Sequence, residues 1–210
     1  MPEVAAAPAP PGPGSIVKLD PGLDALIDPG ATIERAATGF KFVEAPLWRK
    51  SGVLWFSDLV GNIVYQLAPD GKVTEVLNPG GYDGNSLPEG SYLGPNGMAN
   101  GPNGTVTLGQ HGNRRIVSVG PDKKITVLVD RFEGGRLNSP NDMMYRPDGS
   151  LYFTDPPYGL PKRDADPEKD LKFNGVFRLA PNGKLELLIK DIPSPNGIAF
   201  SPDYKTLYVT

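Results

Sequence analysis

Short apolar segments separated by turn residues recur along the chain from Phe42 onward. A typical segment, Ser150-Leu151-Tyr152-Phe153-Thr154, is strand-like, and no segment of the repeat sustains a 3.6-residue apolar period. Turn signals stand between the segments at Pro69-Asp70-Gly71, Pro102-Asn103-Gly104, Pro147-Asp148-Gly149 and Pro181-Asn182-Gly183. This pattern predicts an all-β chain built from hairpins, with two such turns and therefore four strands in each repeat.

A longer repeat runs through the same region. Three segments begin with Pro-Asn-Gly or Pro-Asn-Asp, and a fourth carries Glu where the others carry Asn. The aligned positions 44, 96, 141 and 196 lie 52, 45 and 55 residues apart. Such intervals equal or slightly exceed the span of a four-stranded propeller blade. We therefore predict a β-propeller in which residues 15–210 form about three and a half to four blades.

The composition of the chain limits which partners it could bind and which kinds of catalytic or metal site it could contain. The chain has 210 residues, a net charge of −3 and no basic cluster, which predicts that it binds neither nucleic acid nor a membrane surface. The absence of cysteine excludes disulfides, thiolate catalysis and Cys-ligated zinc. Residues 1–14, rich in Ala, Pro and Gly, predict a flexible arm without an export signal. The compartment stays open: cytoplasmic, or periplasmic if an upstream signal has been removed.

Radial repetition predicts a polar site at the centre of the propeller. Equivalent positions of successive blades lie at the same height around a central channel, so Glu44, Asn96, Asn141 and Asn196 should converge. One carboxylate with carboxamide oxygens suits a hard Ca²⁺ ion. A competing interpretation is that the asparagines only serve turns. The glutamate in the fourth repeat favours the ligand ring, because Glu has no special role in turns.

Five segments are more specific than any single motif. They are residues 44–48 (EAPLW), 110–115 (QHGNRR), 136–142 (RLNSPND), 153–159 (FTDPPYG) and 194–203 (SPNGIAFSPD). Together they resemble the senescence marker protein 30, gluconolactonase and luciferin-regenerating-enzyme family of six-bladed propellers, over about residues 15–210. The resemblance implies hydrolysis of sugar-type lactones with Ca²⁺, or with another divalent cation such as Zn²⁺, Mn²⁺ or Mg²⁺. It also implies Glu44, Asn141 and Asn196 as metal ligands.

Two departures from the family pattern bear on the expected activity. Ala45 stands where the family has Gly, which should shift the backbone beside Glu44. The family also supplies a channel Asp, as a further ligand and as base or nucleophile, from a Pro-Asp-Gly context that has no counterpart in this sequence. We therefore expect impaired lactonase activity for residues 1–210 and self-association through open propeller edges.

Further residues are candidates for catalysis or substrate binding. Asp155 is the candidate catalytic carboxylate, although a turn role before Pro156-Pro157 competes with this interpretation. The candidate substrate-binding residues are Asn96, Asn141, Arg136, His111 and Tyr158. A structural role for the lone histidine and a surface role for Arg136 remain alternatives. Long loops are expected at residues 78–93 and 160–172, where they either roof a pocket or are solvated excursions.

Other functions compete with the lactonase interpretation. A related propeller phosphotriesterase or arylesterase would share the oxygen-ligated ion and differ in pocket lining. An inactive fragment is a further alternative for residues 1–210. A non-enzymatic binding scaffold would lack convergent ligands, so Glu44 and the three aligned asparagines argue against it.

Overall fold

The computed structural model describes residues 14–210. Contacts divide the chain after Gly39 into a first unit and a second unit, Phe40–Thr210. In the first unit a 3₁₀ helix, Pro21–Ala25, begins after Asp20, whose carboxylate accepts a hydrogen bond from the Gly22 N–H at 2.7 Å. The predicted arm lies outside the described residues except for Gly14. Within residues 14–210 no helix has the length and apolar character that a membrane span requires.

Within residues 40–210 sixteen strands form antiparallel sheets in which the strand order follows the sequence. Blade 1 contains β1 (Val43–Trp48), β2 (Leu54–Asp58), β3 (Ile63–Leu67) and β4 (Val73–Leu77). Blade 2 contains β5 (Pro95–Asn100), β6 (Val106–Gln110), β7 (Arg115–Val119) and β8 (Ile125–Val129), followed by a ribbon of β9 (Arg131–Phe132) and β10 (Gly135–Arg136). Blade 3 contains β11 (Met143–Tyr145), β12 (Leu151–Asp155), β13 (Gly175–Leu179) and β14 (Leu185–Ile189), and blade 4 contains β15 (Ile198–Phe200) and β16 (Leu207–Val209). Short 3₁₀ turns occur at Pro102–Gly104 and Arg163–Ala165. The predicted all-β partial propeller is confirmed.

The Pro-Asp-Gly turns are built from local backbone preferences. Gly71, between β3 and β4, has φ 81°, and Gly149, between β11 and β12, has φ 83°. This left-handed backbone costs glycine nothing sterically. Asp70 and Asp148 each accept a hydrogen bond from the N–H two residues ahead, at 3.0 and 2.9 Å. Such Asx-turns close the hairpins that the sequence predicts.

The core lies in layers between the faces of neighbouring blades. Each fully buried aliphatic or aromatic side chain contributes roughly 1.5–3 kcal/mol relative to an exposed one. The fully or nearly fully buried members include Val64, Leu108 and Val117 between blades 1 and 2, Ile116, Phe153 and Phe177 between blades 2 and 3, and Tyr152, Val176 and Ile198 between blades 3 and 4. These layers hold adjacent blades face to face and so fix the spacing of their inner strands.

The inner strands lie side by side, with β5 next to both β1 and β11 and with β11 next to β15. Among the hydrogen bonds between neighbouring blades, one at each junction ends on the backbone carbonyl of an aligned asparagine. The bonds are Ser57 Oγ to Asn96 O (2.8 Å), Gly97 N to Asn141 O (2.6 Å) and Thr154 Oγ1 to Asn196 O (2.6 Å). The asparagine backbones are therefore placed by the neighbouring blades.

A β-bulge interrupts β1 at the position of Ala45. The register with β2 shifts between Glu44 and Leu47, and Ala45 has φ 48°. In this left-handed region the Cβ of an L-residue crowds the following carbonyl oxygen. A bulge re-aims the side chain beside it, here that of Glu44. The left-handed backbone gives a physical reason for the glycine that the family resemblance implies at this position.

We expect Ala45→Gly to raise the free energy of unfolding by about 0.5–1 kcal/mol, because glycine adopts this backbone without steric cost. Urea unfolding measures the change. Ala99→Gly in β5 is the matched control: Ala99 is buried, so its replacement should destabilise the protein by about 1 kcal/mol. Equal destabilisation by both substitutions would contradict backbone strain at Ala45.

Candidate functional site

Two adjoining cavities of 170 and 280 Å³ share four polar residues. We call these residues, Glu44, Asn96, Asn141 and Asn196, the polar quartet, and the two spaces the upper (170 Å³) and lower (280 Å³) cavities. Glu44 belongs to β1 and Asn96 to β5, whereas Asn141 and Asn196 each precede an inner strand by two residues. The structure thus brings together, at the inner strands of four blades, the residues that the repeat aligns.

The three asparagines of the quartet do not act as turn residues. Asn103, in a Pro-Asn-Gly turn, has the left-handed φ of 54°, but no quartet asparagine adopts a positive φ. Asn96 and Asn141 are each only 5% exposed, and the carbonyl of each already accepts a hydrogen bond from the preceding blade. The backbone of Asn96 and Asn141 is therefore held by the neighbouring blade and not by a turn of its own.

His111 lies directly behind Asn96. Its imidazole is completely buried, with Nε2 at 3.1 Å from Asn96 Nδ2 and Nδ1 at 3.1 Å from the carbonyl oxygen of Tyr92. Burial lowers the pKa of His111 to about 4, although the hydrogen bond to Tyr92 opposes the shift. The ring is therefore neutral at neutral pH.

Aromatic side chains and an arginine form the rest of the upper cavity. Phe42, Tyr92 and Tyr158 line it together with Leu59, Arg163 and His111. The Tyr158 hydroxyl donates to the Ser194 carbonyl at 3.3 Å, and the Arg163 guanidinium lies 5.5 Å from the centre of the Tyr158 ring. Sequence analysis named Tyr158 but missed Tyr92 and Arg163. The two long loops predicted from the sequence could have pointed to these residues, because Tyr92 lies in the first loop and Arg163 in the second.

A third cavity of 350 Å³ opens between these loops. It is lined by residues 88–93 on one side and by Tyr158–Pro161 and Arg163 on the other. Tyr92, Tyr158 and Arg163 line both this outer cavity and the upper cavity. The loops therefore form the wall of the space above the quartet. Of the two roles considered for these loops, this is the one in which they cover a pocket.

Asp142 lines the lower cavity and joins blade 3 to blade 4. Its carboxylate accepts hydrogen bonds from the backbone N–H groups of Ile198, at 2.9 Å, and Met143, at 2.8 Å. Burial raises the pKa of Asp142, whereas these two hydrogen bonds lower it. This geometry suits a residue that holds the two blades in position.

Asp155 does not line any of the three cavities. It is completely buried, with Oδ2 accepting from the Asn138 N–H at 2.7 Å and with Oδ1 unpartnered. Burial raises the pKa of Asp155 to about 7, against the N–H groups of Asn138 and Ser139 and the positive charges of Arg114 and Lys169. The geometry gives no support to its assignment as the catalytic carboxylate.

The buried position of Asp155 is shared by the equivalent residues of blades 1 and 2. Asp58, Gln110 and Asp155 are the last residues of the second strand in blades 1, 2 and 3. Asp58 accepts hydrogen bonds from Lys41 N, Phe42 N and Gly61 N, and the Gln110 side chain donates to Gly80 O. The same position therefore anchors a loop in blades 1, 2 and 3, and this shared role is visible only when the three blades are compared.

Arg136 also lies away from the cavities. Its guanidinium forms ion pairs with Glu168 at 2.9 Å and with Asp170 at 3.0 Å, and its hydrogen bonds lower the pKa of Asp170 to about 2. The side chain is 38% exposed. Arg136 thus links the ribbon to the charged loop, residues 160–172, at the protein surface. This is the surface role that competed with substrate binding.

The chemistry of the quartet fits a hard cation better than zinc. Among residues 14–210 there is no group of three or more His, Cys, Asp and Glu side chains that could hold a metal ion. The quartet instead offers one carboxylate and three carboxamides, which are oxygen ligands of the kind that calcium accepts. Zinc prefers nitrogen and sulfur ligands, and both ring nitrogens of the nearby His111 already face protein groups. The residues present therefore fit Ca²⁺ by donor type.

Comparisons with known proteins identify a family for this chain. The sequence pattern of the SMP-30/Gluconolactonase/LRE-like region matches residues 42–210. A gluconolactonase of Zymomonas mobilis is 42% identical over 201 residues, which cover 94% of this chain and 56% of the Zymomonas protein. The chain thus spans little more than half of that relative.

The structure of the chain is also similar to solved structures of gluconolactonases. The X-ray structure of a proposed gluconolactonase is 34% identical, with a TM-score of 0.78 over 91% of this chain and 63% of the other. A gluconolactonase of Xanthomonas campestris is 35% identical, with a TM-score of 0.69 over 81% and 55% of the two chains. A luciferin-regenerating enzyme, 19% identical with a TM-score of 0.59, shares the fold.

The buried position of Asp155 predicts a measurable pH dependence of stability. The pKa is raised from 3.8 to about 7 by folding, so the folded state binds the proton more tightly. The stabilisation from this group is complete below pH 4 and is lost as the pH rises through about 7, by at most about 4 kcal/mol. We expect Asp155→Asn, which stays neutral, to gain stability relative to the unchanged protein between pH 4 and pH 8.

Urea unfolding of both proteins at several pH values measures this difference. Asp164→Asn serves as a control, because Asp164 is largely exposed and its replacement should leave the pH profile nearly unchanged. A difference between Asp155→Asn and the unchanged protein that stays constant from pH 4 to pH 8 would contradict the raised pKa.

Proposed function

The chain belongs to the SMP-30/Gluconolactonase/LRE-like family, and on this premise we propose that it hydrolyses sugar-type lactones at the polar quartet, which would hold a calcium ion. The observation that carries the proposal is the convergence of one carboxylate and three carboxamides where the upper and lower cavities meet. Similarity to gluconolactonases at 34–42% identity supports the reaction class.

Glu44, Asn96, Asn141 and Asn196 would hold the ion, with the single negative charge of Glu44 providing most of the attraction. The bound ion would supply Lewis acidity toward the lactone carbonyl. Hydrolysis then adds water to the carbonyl carbon and breaks the ring carbon–oxygen bond, and the released oxygen takes up a proton to give the hydroxy acid. The quartet side chains would orient the lactone for this step.

The upper cavity is the side on which the lactone would bind. Its aromatic wall offers faces for the apolar side of a sugar ring, and the Tyr158 hydroxyl and the Arg163 guanidinium offer polar contacts. Its 170 Å³ admit a small ring, and the outer cavity leaves room for substituents. The lower cavity lacks such a wall, because backbone, Pro46, Met98 and Asp142 line it beside the quartet.

The first test concerns the ion. Calcium at about 100 times its dissociation constant should stabilise the protein by about 2.7 kcal/mol, since only the folded state assembles the quartet. Glu44→Gln should lose most of this calcium-dependent stabilisation, because it replaces the charged ligand by a neutral one of the same shape. Thermal unfolding with calcium and with a chelator measures the effect.

Glu133→Gln is the matched control, because Glu133 is exposed in the turn between β9 and β10 and lines none of the three cavities. It should keep the full calcium response. Retention of the same response by Glu44→Gln would exclude Glu44 as a ligand.

The second test concerns the reaction. Asn196→Ala should lower calcium-dependent lactone turnover by at least about 10-fold, because removal of partners that only orient metal ligands already costs that much. The matched control is Asn182→Ala, which changes the same Pro-Asn-Gly tripeptide at an exposed turn. A pH-indicator assay over five- and six-membered sugar lactones follows the acid released. Equal turnover by the two variants would exclude the quartet as the active site, and turnover of aryl esters or phosphotriesters alone would replace the proposed substrate class.

A further inference from the structure

The environment of His111 determines which of its nitrogens carries the proton. Nδ1 lies 3.1 Å from the Tyr92 carbonyl oxygen, and a carbonyl oxygen can only accept a hydrogen bond. Nδ1 must therefore be the protonated nitrogen of the neutral ring. The ring is completely buried, and its nitrogens face an amide and a carbonyl rather than a carboxylate, so a second proton would leave a costly unpaired charge. The remaining nitrogen, Nε2, then carries a lone pair.

That lone pair determines the orientation of the Asn96 amide. Nε2 lies 3.1 Å from the Asn96 side chain, and only the NH₂ end of the amide can donate to it. The opposite orientation would place the amide oxygen against a lone pair in a fully buried site, which is costly in a low-dielectric environment. With Nδ2 held by the imidazole, Oδ1 is the end of the amide that is free to serve the polar quartet.

The imidazole has little freedom to adopt another position. His111 N donates to Gly94 O at 3.2 Å, and the next residue, Gly112, donates to Leu93 O at 2.9 Å. A Cβ added to Gly159 would lie only 2.9 Å from His111 Cβ, which shows how closely the 153–159 segment packs against it. The backbone that carries the imidazole is thus fixed to the Leu93 and Gly94 carbonyls.

We propose that His111 is a positioning residue, which holds the Asn96 side chain so that its oxygen rather than its nitrogen faces the cation of the polar quartet. This inference rests on the proposed function, because an amide oriented in this way matters only if the quartet binds a cation. It gives the lone histidine, which contacts the quartet through Asn96, a defined role.

A double-mutant cycle tests the proposal. His111→Ala should weaken calcium binding about 10-fold or more, as loss of partners that orient metal ligands does elsewhere. Asn96→Asp presents an oxygen in either orientation of the side chain and has no N–H to be held. In the Asn96→Asp background, His111→Ala should therefore leave the calcium affinity unchanged or raise it. Isothermal titration at pH 7.5, with circular dichroism to check folding, measures all four proteins.

Equal weakening by His111→Ala in both backgrounds would overturn the proposal, because it would mean that the histidine only supports packing. No weakening in either background would overturn it as well. If the unchanged protein binds no calcium, both this inference and the proposed ion fail, whereas calcium binding that is indifferent to His111 leaves the proposed function intact.

A second measurement does not depend on the folding of variants. His111 is the only histidine of the sequence, so its ¹⁵N imidazole resonances need no assignment among other histidines. At pH 7 the spectrum should show a protonated Nδ1 and a bare Nε2. A ring protonated at Nε2 would contradict the proposed orientation of Asn96.

Discussion

The hydrogen bonds between successive blades are the constraint on which the rest of the structure depends. Ser57 and Thr154 each donate to the backbone carbonyl of the quartet asparagine in the following blade. In blade 2 the equivalent position is Gly109, where an added Cβ would lie 2.4 Å from the Pro140 carbonyl oxygen, and there the Gly97 N–H makes the link to Asn141 instead. Because these bonds occupy the asparagine carbonyls and fix the backbone, the side chains are free to converge on one point.

The chemistry of the site follows from that convergence. Two of the asparagines are buried and neutral, so they add oxygen ligands to the quartet without adding negative charges that would repel one another. Glu44 supplies the single charge from a strained bulge. With only one charged ligand, the binding of a cation would also depend on the orientation of each amide oxygen. A buried histidine beside Asn96 would therefore affect binding. The loops that carry Tyr92 and Arg163 complete the space above the quartet.

The repeat and the turn chemistry were sufficient to predict the propeller and the convergence of Glu44 with the three asparagines, because both depend on periodicity that is visible in one sequence. The positions of the Asp155 and Arg136 side chains could not be predicted in this way, since they depend on which loop each side chain contacts. Asp155 is buried as a loop anchor, in register with Asp58 and Gln110, and Arg136 is paired with acids of the charged loop. Arg163 belongs to a loop without periodicity, so no pattern could place it against Tyr158.

The decisive experiment is a crystal structure of the protein from crystals grown with calcium, with an anomalous difference map. A calcium ion at the polar quartet should give a peak between the upper and lower cavities, within about 2.3–2.6 Å of the Glu44 carboxylate and of the asparagine side-chain oxygens. A calcium peak held by other residues, or no peak at the polar quartet, would show that the quartet does not bind the ion.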